Sequence, residues 1–134
     1  MQPNKVLVID DSQVIHRMFS VILPKTTLVY AVDGQDALER LAQHPEVDLI
    51  FLDINMPRMN GIDFLHQVKG DPVLAQIPII IISTEGKEVD TIRGLKAGAA
   101  AYVKKPFRSE TILEVTKRVL GRSTKVLSAE WLAP

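Results

Sequence analysis

The sequence contains no cysteine among its 134 residues. Disulfide bonds, thiolate metal sites and thiol nucleophiles are therefore excluded, and the absence is compatible with a reducing cytosol. Aromatic residues are scarce at 5%, with Trp131 as the single tryptophan. Basic and acidic residues balance to a formal net charge of zero. We therefore expect no bulk attraction to nucleic acid or to an anionic membrane.

Long apolar runs are missing as well. The first apolar run extends only over residues 6–9, which is too short for the core of a signal peptide or for a membrane span. We therefore expect a cytoplasmic protein with no membrane partner. A chain of this length is typical of one domain that buries a substantial core.

Short apolar runs alternate along the chain with segments of helical periodicity. The runs predict five strands at residues 6–9, 27–31, 47–53, 79–82 and 101–103. The intervening segments predict five helices, the first defined by Val14, Ile15, Met18, Phe19 and Ile22. Ser12 is expected to cap this helix, and Gly98 is expected to end the fourth in a left-handed conformation.

This alternation predicts an α/β fold in which helices cover both faces of a parallel, doubly wound sheet. The periodic pattern extends to about Gly121, so residues 1–121 are expected to form one domain. Residues 122–134 lie outside the pattern and are expected to be a tail or the start of a linker.

Polar side chains stand where four of the five predicted strands end. They are Asp10 and Asp11 after the first strand, Asp53 at the end of the third, Ser83 and Thr84 after the fourth, and Lys104 and Lys105 after the fifth. Ligands of such sheets bind beyond the carboxyl ends of the strands. The spacing therefore predicts one crevice that holds three carboxylates, a hydroxyl and an ammonium group.

Three carboxylates in one crevice repel one another, by roughly 4 kcal/mol per pair at ~4 Å and an effective dielectric constant near ~20. A divalent cation would relieve this repulsion, and oxygen ligands favour Mg²⁺ or Mn²⁺ over zinc. Such a site suits a phosphoryl group, whose oxygens the metal and Lys105 would neutralise while Ser83 donates a hydrogen bond. A carboxylate such as Asp53 can itself be the nucleophile and form an aspartyl phosphate.

The chain resembles the receiver domain of two-component response regulators, especially the stand-alone chemotaxis (CheY-like) type. The matching motifs are Asp10-Asp11-Ser12, Asp33-Gly34, Asp53-Ile54-Asn55-Met56-Pro57 with Asn60-Gly61, Ser83-Thr84-Glu85, Ala97-Gly98-Ala99 and Tyr102-Val103-Lys104-Lys105-Pro106-Phe107. They cover about residues 5–121. The resemblance implies a flavodoxin-like fold with strand order 2-1-3-4-5 and five helices.

The resemblance also implies roles for the acidic residues. Asp53 would accept a phosphoryl group from a histidine kinase or a phosphotransfer protein. Asp11, Asp53 and the backbone carbonyl of Asn55 would hold Mg²⁺ directly, while Asp10 would act largely through water. Only self-phosphotransfer and self-dephosphorylation are expected, so the protein would not be an enzyme that acts on other substrates.

The same resemblance implies a switch that partners read. Lys105 would contact the phosphoryl oxygens, and Ser83 would turn inward to bond one of them. Tyr102 would then move from exposed to buried, and this would reshape the face formed by the fourth helix, fifth strand and fifth helix for a downstream effector protein. The Lys105–Pro106 bond is commonly cis in this family.

Three polar residues are expected to tune loss of the phosphoryl group. Asn55 and Glu85 would help position the hydrolytic water, which predicts a short-lived phosphoryl group. Thr84 is larger than the alanine or glycine usual at its position, which affects access to the phosphoryl group. Ser83 replaces the more frequent threonine and keeps the hydroxyl.

Two other functions fit parts of the pattern. The chain could be a receiver cut from a longer transcriptional regulator, with the tail as linker. It could also be a small Mg²⁺-dependent phosphohydrolase with Asp53 as nucleophile. Such enzymes usually carry a second acid two residues further on, where this chain has Asn55, and the sequence shows no cap insertion to select a substrate.

Overall fold

The computed structural model describes residues 3–54, 61–84 and 93–122. The strands are β1 (Lys5–Ile9), β2 (Thr27–Ala31), β3 (Leu49–Asp53), β4 (Ile79–Ser83) and β5 (Ala101–Lys104). The helices are α1 (Gln13–Ile22), α2 (Gly34–Gln43), α3 (Gly61–Lys69), α4 (described at residues 93–96) and α5 (Ser109–Arg122). A short 3₁₀ helix at Leu74–Gln76 precedes β4.

Local sequence explains where these elements begin. All residues of β3 and β4 are buried, as expected for continuous apolar runs that are covered on both faces. The hydroxyl of Ser12 accepts a hydrogen bond from the N–H of Ile15 at 3.4 Å and so caps α1. The carboxylate of Asp33 caps α2 in the same way by accepting from the N–H of Asp36 at 2.8 Å.

The five strands are parallel and lie in the order β2-β1-β3-β4-β5, which confirms the predicted doubly wound sheet. The strand order reverses between β1 and β3, and this is where ligands bind in such sheets. Ile9 pairs with Leu52 and Asp53 pairs with Ile82. The residues that follow β1 and the end of β3 therefore reach the same edge of the sheet.

The core consists of two clusters, one on each face of the sheet. One contains Phe19 of α1, Phe51 of β3, and Ile112 and Val119 of α5. The rings of Phe19 and Phe51 pack with centroids 4.6 Å apart. The other cluster contains residues of α2 and α3, including Leu41, Phe64 and Leu65. Helices therefore cover both faces, as the alternating pattern predicts.

The structure corrects some details of the sequence-based expectations. Val14 belongs to the periodic set of α1 but is 59% exposed, because Phe19 and Ile22 with the partly buried Ile15 form the inward face. Helix α5 extends to Arg122, beyond the expected end at Gly121.

Gly98 has φ of 112°, as its role as a helix end predicts. The Lys105–Pro106 bond is cis. No helix in the described residues is long and apolar enough to span a membrane.

Thr116 is a buried polar residue on the inner face of α5. It is 1% exposed, and its hydroxyl has no hydrogen-bond partner among the described residues. Valine has nearly the same shape as threonine but lacks the hydroxyl. We therefore expect Thr116→Val to raise the free energy of unfolding by about 1 kcal/mol. Urea denaturation measures the change. Thr111→Val, at an exposed position of the same helix, is the control and should stay within about 0.5 kcal/mol of wild type. A less stable Thr116→Val variant would contradict this expectation.

Candidate functional site

Three carboxylates meet at the carboxyl edge of the sheet. Asp10 and Asp11 follow β1, and Asp53 is the last residue of the neighbouring strand β3. One oxygen from each lies within 4.8 Å of the other two. Asp10 is fully buried, Asp53 is 6% exposed, and Asp11 is exposed. The structure thus brings together the three acidic residues selected from the sequence, with one side of the cluster open to solvent.

These carboxylates form a set that could hold a metal ion. At 4.8 Å, two like charges repel by about 3.5 kcal/mol at an effective dielectric constant near ~20. The ligand atoms of this described cluster are all carboxylate oxygens. Hard divalent cations prefer such oxygens, whereas zinc prefers nitrogen and sulfur. The donor set therefore fits a hard divalent cation.

Lys105 supplies a positive charge to the acidic cluster. Its Nζ donates to Oδ2 of Asp10 at 2.6 Å and lies 3.5 Å from Oδ2 of Asp53. The backbone positions this lysine, because the N–H of Lys105 donates to the carbonyl of Ser83 at 2.8 Å directly after β5. In the part of the chain that the structure describes, one ammonium group against three carboxylates leaves two negative charges at the site.

Both carboxylate oxygens of Asp10 accept hydrogen bonds. Oδ1 accepts from the backbone N–H of Ser12 at 2.9 Å, and Oδ2 accepts from Lys105. Its own backbone N–H donates to the carbonyl of Ala31 at 2.9 Å. Asp10 is therefore fixed by contacts with the N-cap residue of α1, the end of β2 and the residue after β5. The sequence pattern did not indicate the contact with Ser12, which is visible only in three dimensions.

Ser83 and Tyr102 lie on the same face of the sheet. Ser83 is the last residue of β4 and is fully buried, whereas the adjacent Thr84 is exposed. Tyr102 pairs with Ile81, two residues before Ser83, and is partly buried against the core on the α2 and α3 side. Side chains two residues apart on a strand point to the same face. This geometry places the hydroxyl of Ser83 and the ring of Tyr102 on one side of the β4–β5 pair.

Some of the sequence-based site residues lie outside the described residues. These are Asn55 and Glu85, together with the neighbouring Met56, Pro57 and Asn60. Trp131 and the rest of residues 123–134 also lie outside them.

Gly61, the first residue of α3, contacts the backbone that carries Asp53. Its N–H donates to the carbonyl of Ile54 at 3.0 Å. A Cβ atom at this position would lie 2.8 Å from the carbonyl oxygen of Asp53 and would overlap Cα of Ile54. The sequence pattern indicated Gly61 only as part of the Asn60-Gly61 motif that matches the receiver family. Its closeness to the site is a further feature that the sequence alone did not reveal.

Comparison with known proteins identifies the family. The family model described as the response regulator receiver domain matches residues 6–117. This chain belongs to that family. The receiver domain is 37% identical over 120 residues to the chemotaxis protein CheY1 of Helicobacter pylori, which covers 87% of this chain and 97% of CheY1. The predicted resemblance is thus confirmed.

Solved structures agree with this assignment. Chemotaxis protein CheY4 of Vibrio cholerae superimposes on the receiver domain with a TM-score of 0.80 at 34% identity, covering 87% of this chain and 98% of CheY4. The receiver domain is also 33% identical over 122 residues to the transcriptional regulatory protein CpxR of Escherichia coli, but spans only 50% of that protein. The near-complete coverage of the chemotaxis relatives favours a CheY-type receiver domain.

Proposed function

We propose that Asp53 of this CheY-type receiver domain accepts a phosphoryl group from the phosphohistidine of a histidine kinase or a phosphotransfer protein. The proposal rests on one observation: three carboxylate oxygens lie within 4.8 Å of one another, and the ammonium group of Lys105 reaches both Asp10 and Asp53. Family membership supports the same role. Asp53 ends a fully buried strand, so its carboxylate is held at the edge of the sheet.

In the transfer, a carboxylate oxygen of Asp53 attacks phosphorus as the bond from phosphorus to the imidazole nitrogen breaks. The bonding electrons leave with the histidine, and Asp53 becomes an aspartyl phosphate. Lys105 is close enough to Asp53 to contact the transferred oxygens. The hydroxyl of Ser83, at the end of the adjacent strand, would donate a further hydrogen bond.

Asp10, Asp11 and Asp53 would hold Mg²⁺ in this proposal, and Mn²⁺ would fit the same oxygen donors. The backbone carbonyl of Asn55, which lies outside the described residues, would be a further ligand. A bound cation supplies positive charge for the phosphoryl oxygens. The exposed Asp11 leaves this side of the cluster accessible to an ion and to a phosphodonor.

Phosphorylation adds about −1.5 to −2 charge at Asp53. We propose that Ser83 moves toward this charge and that Tyr102, on the same face of the sheet, moves with it. The affected surface is the α4–β5–α5 face, where a downstream effector protein would bind. Thr84 is exposed next to Ser83 and would limit access to the phosphoryl group. Asn55 and Glu85 would promote its hydrolysis, so the chemistry is confined to the protein's own aspartate.

The proposal predicts that labelling by a small phosphodonor requires a divalent cation. We expect intact-mass spectrometry to show the addition of one phosphoryl group in Mg²⁺. Chelation by EDTA should slow this addition by about 100-fold, the scale associated with losing one electrostatic stabiliser of a charged transition state. Returning excess Mg²⁺ to the same sample is the control and should restore the rate. Equal rates with and without chelator would contradict the proposed role of the carboxylates.

A further inference from the structure

Three of the four phenylalanine residues of the chain meet on one face of the sheet. Phe19 lies at the centre of this group, on the inward face of α1. Its ring centroid is 4.6 Å from that of Phe51, with the two planes at 50°, and 5.9 Å from that of Phe107, with the planes at 60°. Tilted rings at such distances attract each other beyond the effect of burial. Phe19 therefore bridges two rings from distant parts of the chain.

Each outer ring of this group is close in sequence to a charged residue of the site. Phe51 lies two residues before Asp53 on β3, and side chains two residues apart on a strand point to the same face. Phe107 lies two residues after Lys105. Nζ of Lys105 is 3.5 Å from Oδ2 of Asp53, so the two parts of the chain that the rings connect also meet at the site. The phenylalanine group thus supports both partners of this charge contact.

The strand that carries Asp53 is held more firmly than the segment that carries Lys105. Strand β3 is fully buried and pairs with a strand on each side. Residues 105–108 form an irregular connection between β5 and α5, and such connections are more mobile than the elements that they join. The residues on either side of Phe107 are exposed, whereas Phe107 packs against the core. Its contact with Phe19 therefore fixes the connection that carries Lys105.

We infer that Phe19 is a positioning residue for Lys105. By holding Phe107 at a fixed place relative to Phe51, it sets the distance between the ammonium group and the carboxylate of Asp53. This inference rests on the proposed function of Asp53 as the phosphoryl acceptor. An ammonium group stabilises the transferred phosphoryl group only where it is correctly placed, and a displacement of about 1 Å can cost about 100-fold in rate. A smaller side chain at position 19 removes the support of Phe107, and Lys105 shifts with it.

Phe19→Leu tests the inference without any phosphodonor. The backbone N–H of Lys105 donates to the carbonyl of Ser83 at 2.8 Å, so its hydrogen-exchange rate reports on the order of this segment. We expect NMR to show exchange of this amide about tenfold faster in Phe19→Leu, the scale of one lost aromatic pair. The amide of Thr27, which donates to the carbonyl of Asn4 at the opposite edge of the sheet, is the internal reference.

Phe64→Leu is the matched control. Phe64 is fully buried, as Phe19 is, but it belongs to the cluster on the other face of the sheet. Both variants remove the same atoms from a core position, so urea denaturation should show comparable losses of stability. Only Phe19→Leu should speed up exchange at Lys105 relative to Thr27. Equal exchange ratios in the two variants would overturn the inference, because Phe19 would then support the domain as a whole.

Labelling by a small phosphodonor in Mg²⁺ measures the consequence for phosphoryl transfer. Phe19→Leu should be labelled about tenfold more slowly than wild type, whereas Phe64→Leu should stay within about twofold of it. In a Lys105→Ala background, Phe19→Leu should cause no further slowing, because it acts through the lysine. Slowing of the same size in that background would contradict the inference, since Phe19 would then act on Asp53 directly or on the whole domain.

Phe107→Leu supplies a second variant with a smaller effect on the core, since Phe107 is only partly buried. It should speed up exchange at Lys105 as Phe19→Leu does, and the double variant should exchange no faster than the faster single variant. Effects that multiply in the double variant would count against a shared route. A wild-type protein that is not labelled at Asp53 would refute the proposed function, while the exchange ratio would still decide whether Phe19 positions Lys105.

Discussion

Asp53→Asn is expected to abolish phosphoryl transfer to the protein. Asparagine keeps the size of the side chain at a site that is only 6% exposed, but its amide is not an effective nucleophile. The substitution also removes one of the three charges that would hold a cation. Labelling by a phosphodonor in Mg²⁺ should fall by roughly 10³-fold or more, as it does when a nucleophile is removed from an enzyme.

The fold of this variant should be intact. Among the described residues, two carboxylates lie near Asp53 and one ammonium group lies at 3.5 Å, so neutralising Asp53 removes more of this repulsion than of this attraction. Thermal denaturation without divalent cation should therefore show no loss of stability. Asp63→Asn, at an exposed position on α3, is the matched control and should be labelled at the wild-type rate. Labelling of Asp53→Asn at that rate would show that another residue accepts the phosphoryl group.

Gly61→Ala adds one methyl group next to the site. Among the described glycines near the site, we expect this position to lose the most stability on substitution by alanine. The new Cβ would lie 2.8 Å from the carbonyl oxygen of Asp53 and 2.9 Å from Cγ2 of Ile54, and it would overlap Cα of Ile54. Backbone atoms of a buried strand end cannot move aside as a flexible side chain can. We expect the free energy of unfolding to fall by about 3 kcal/mol, the upper part of the range for overpacking.

Gly70→Ala provides the comparison for this effect. Its added Cβ would lie 3.3 Å from the carbonyl oxygen of His66 and 3.6 Å from that of Gln67, so a change within about 1 kcal/mol is expected. Urea denaturation of both variants measures the difference. Gly61→Ala should also slow phosphoryl acceptance, because relief of the overlap displaces the backbone of Asp53. Equal free energies of unfolding for Gly61→Ala and Gly70→Ala would contradict this expectation. They would show that α3 can shift to accommodate the new methyl group without loss of stability.

The sheet and the meeting of the acidic residues follow from simple regularities of the sequence. Continuous apolar runs predict strands that are buried on both faces, and β3 and β4 are entirely buried. Once the strands are parallel, residues at their carboxyl ends must share one edge. Asp10 and Asp53 could therefore be expected to meet although they are 43 positions apart in the numbering. Family resemblance then supplied the strand order.

Other features depend on geometry that periodicity does not determine. The periodic residues of α1 include both Phe19, which is buried, and Val14, which is exposed, because periodicity alone does not fix where the buried stripe ends. Thr116 occupies a core position although its hydroxyl is polar. The overlap at Gly61 depends on the distance between two backbones. Such distances result from packing of the whole domain.

The link between Lys105 and Asp10 also has a consequence during protein synthesis. The two residues are 95 positions apart, and the ribosome makes the chain from its N-terminus. A nascent chain that has emerged only through β4 already carries all three carboxylates but still lacks the lysine that neutralises part of their charge. Under the proposed function, we therefore expect phosphoryl acceptance to begin only after translation has passed β5.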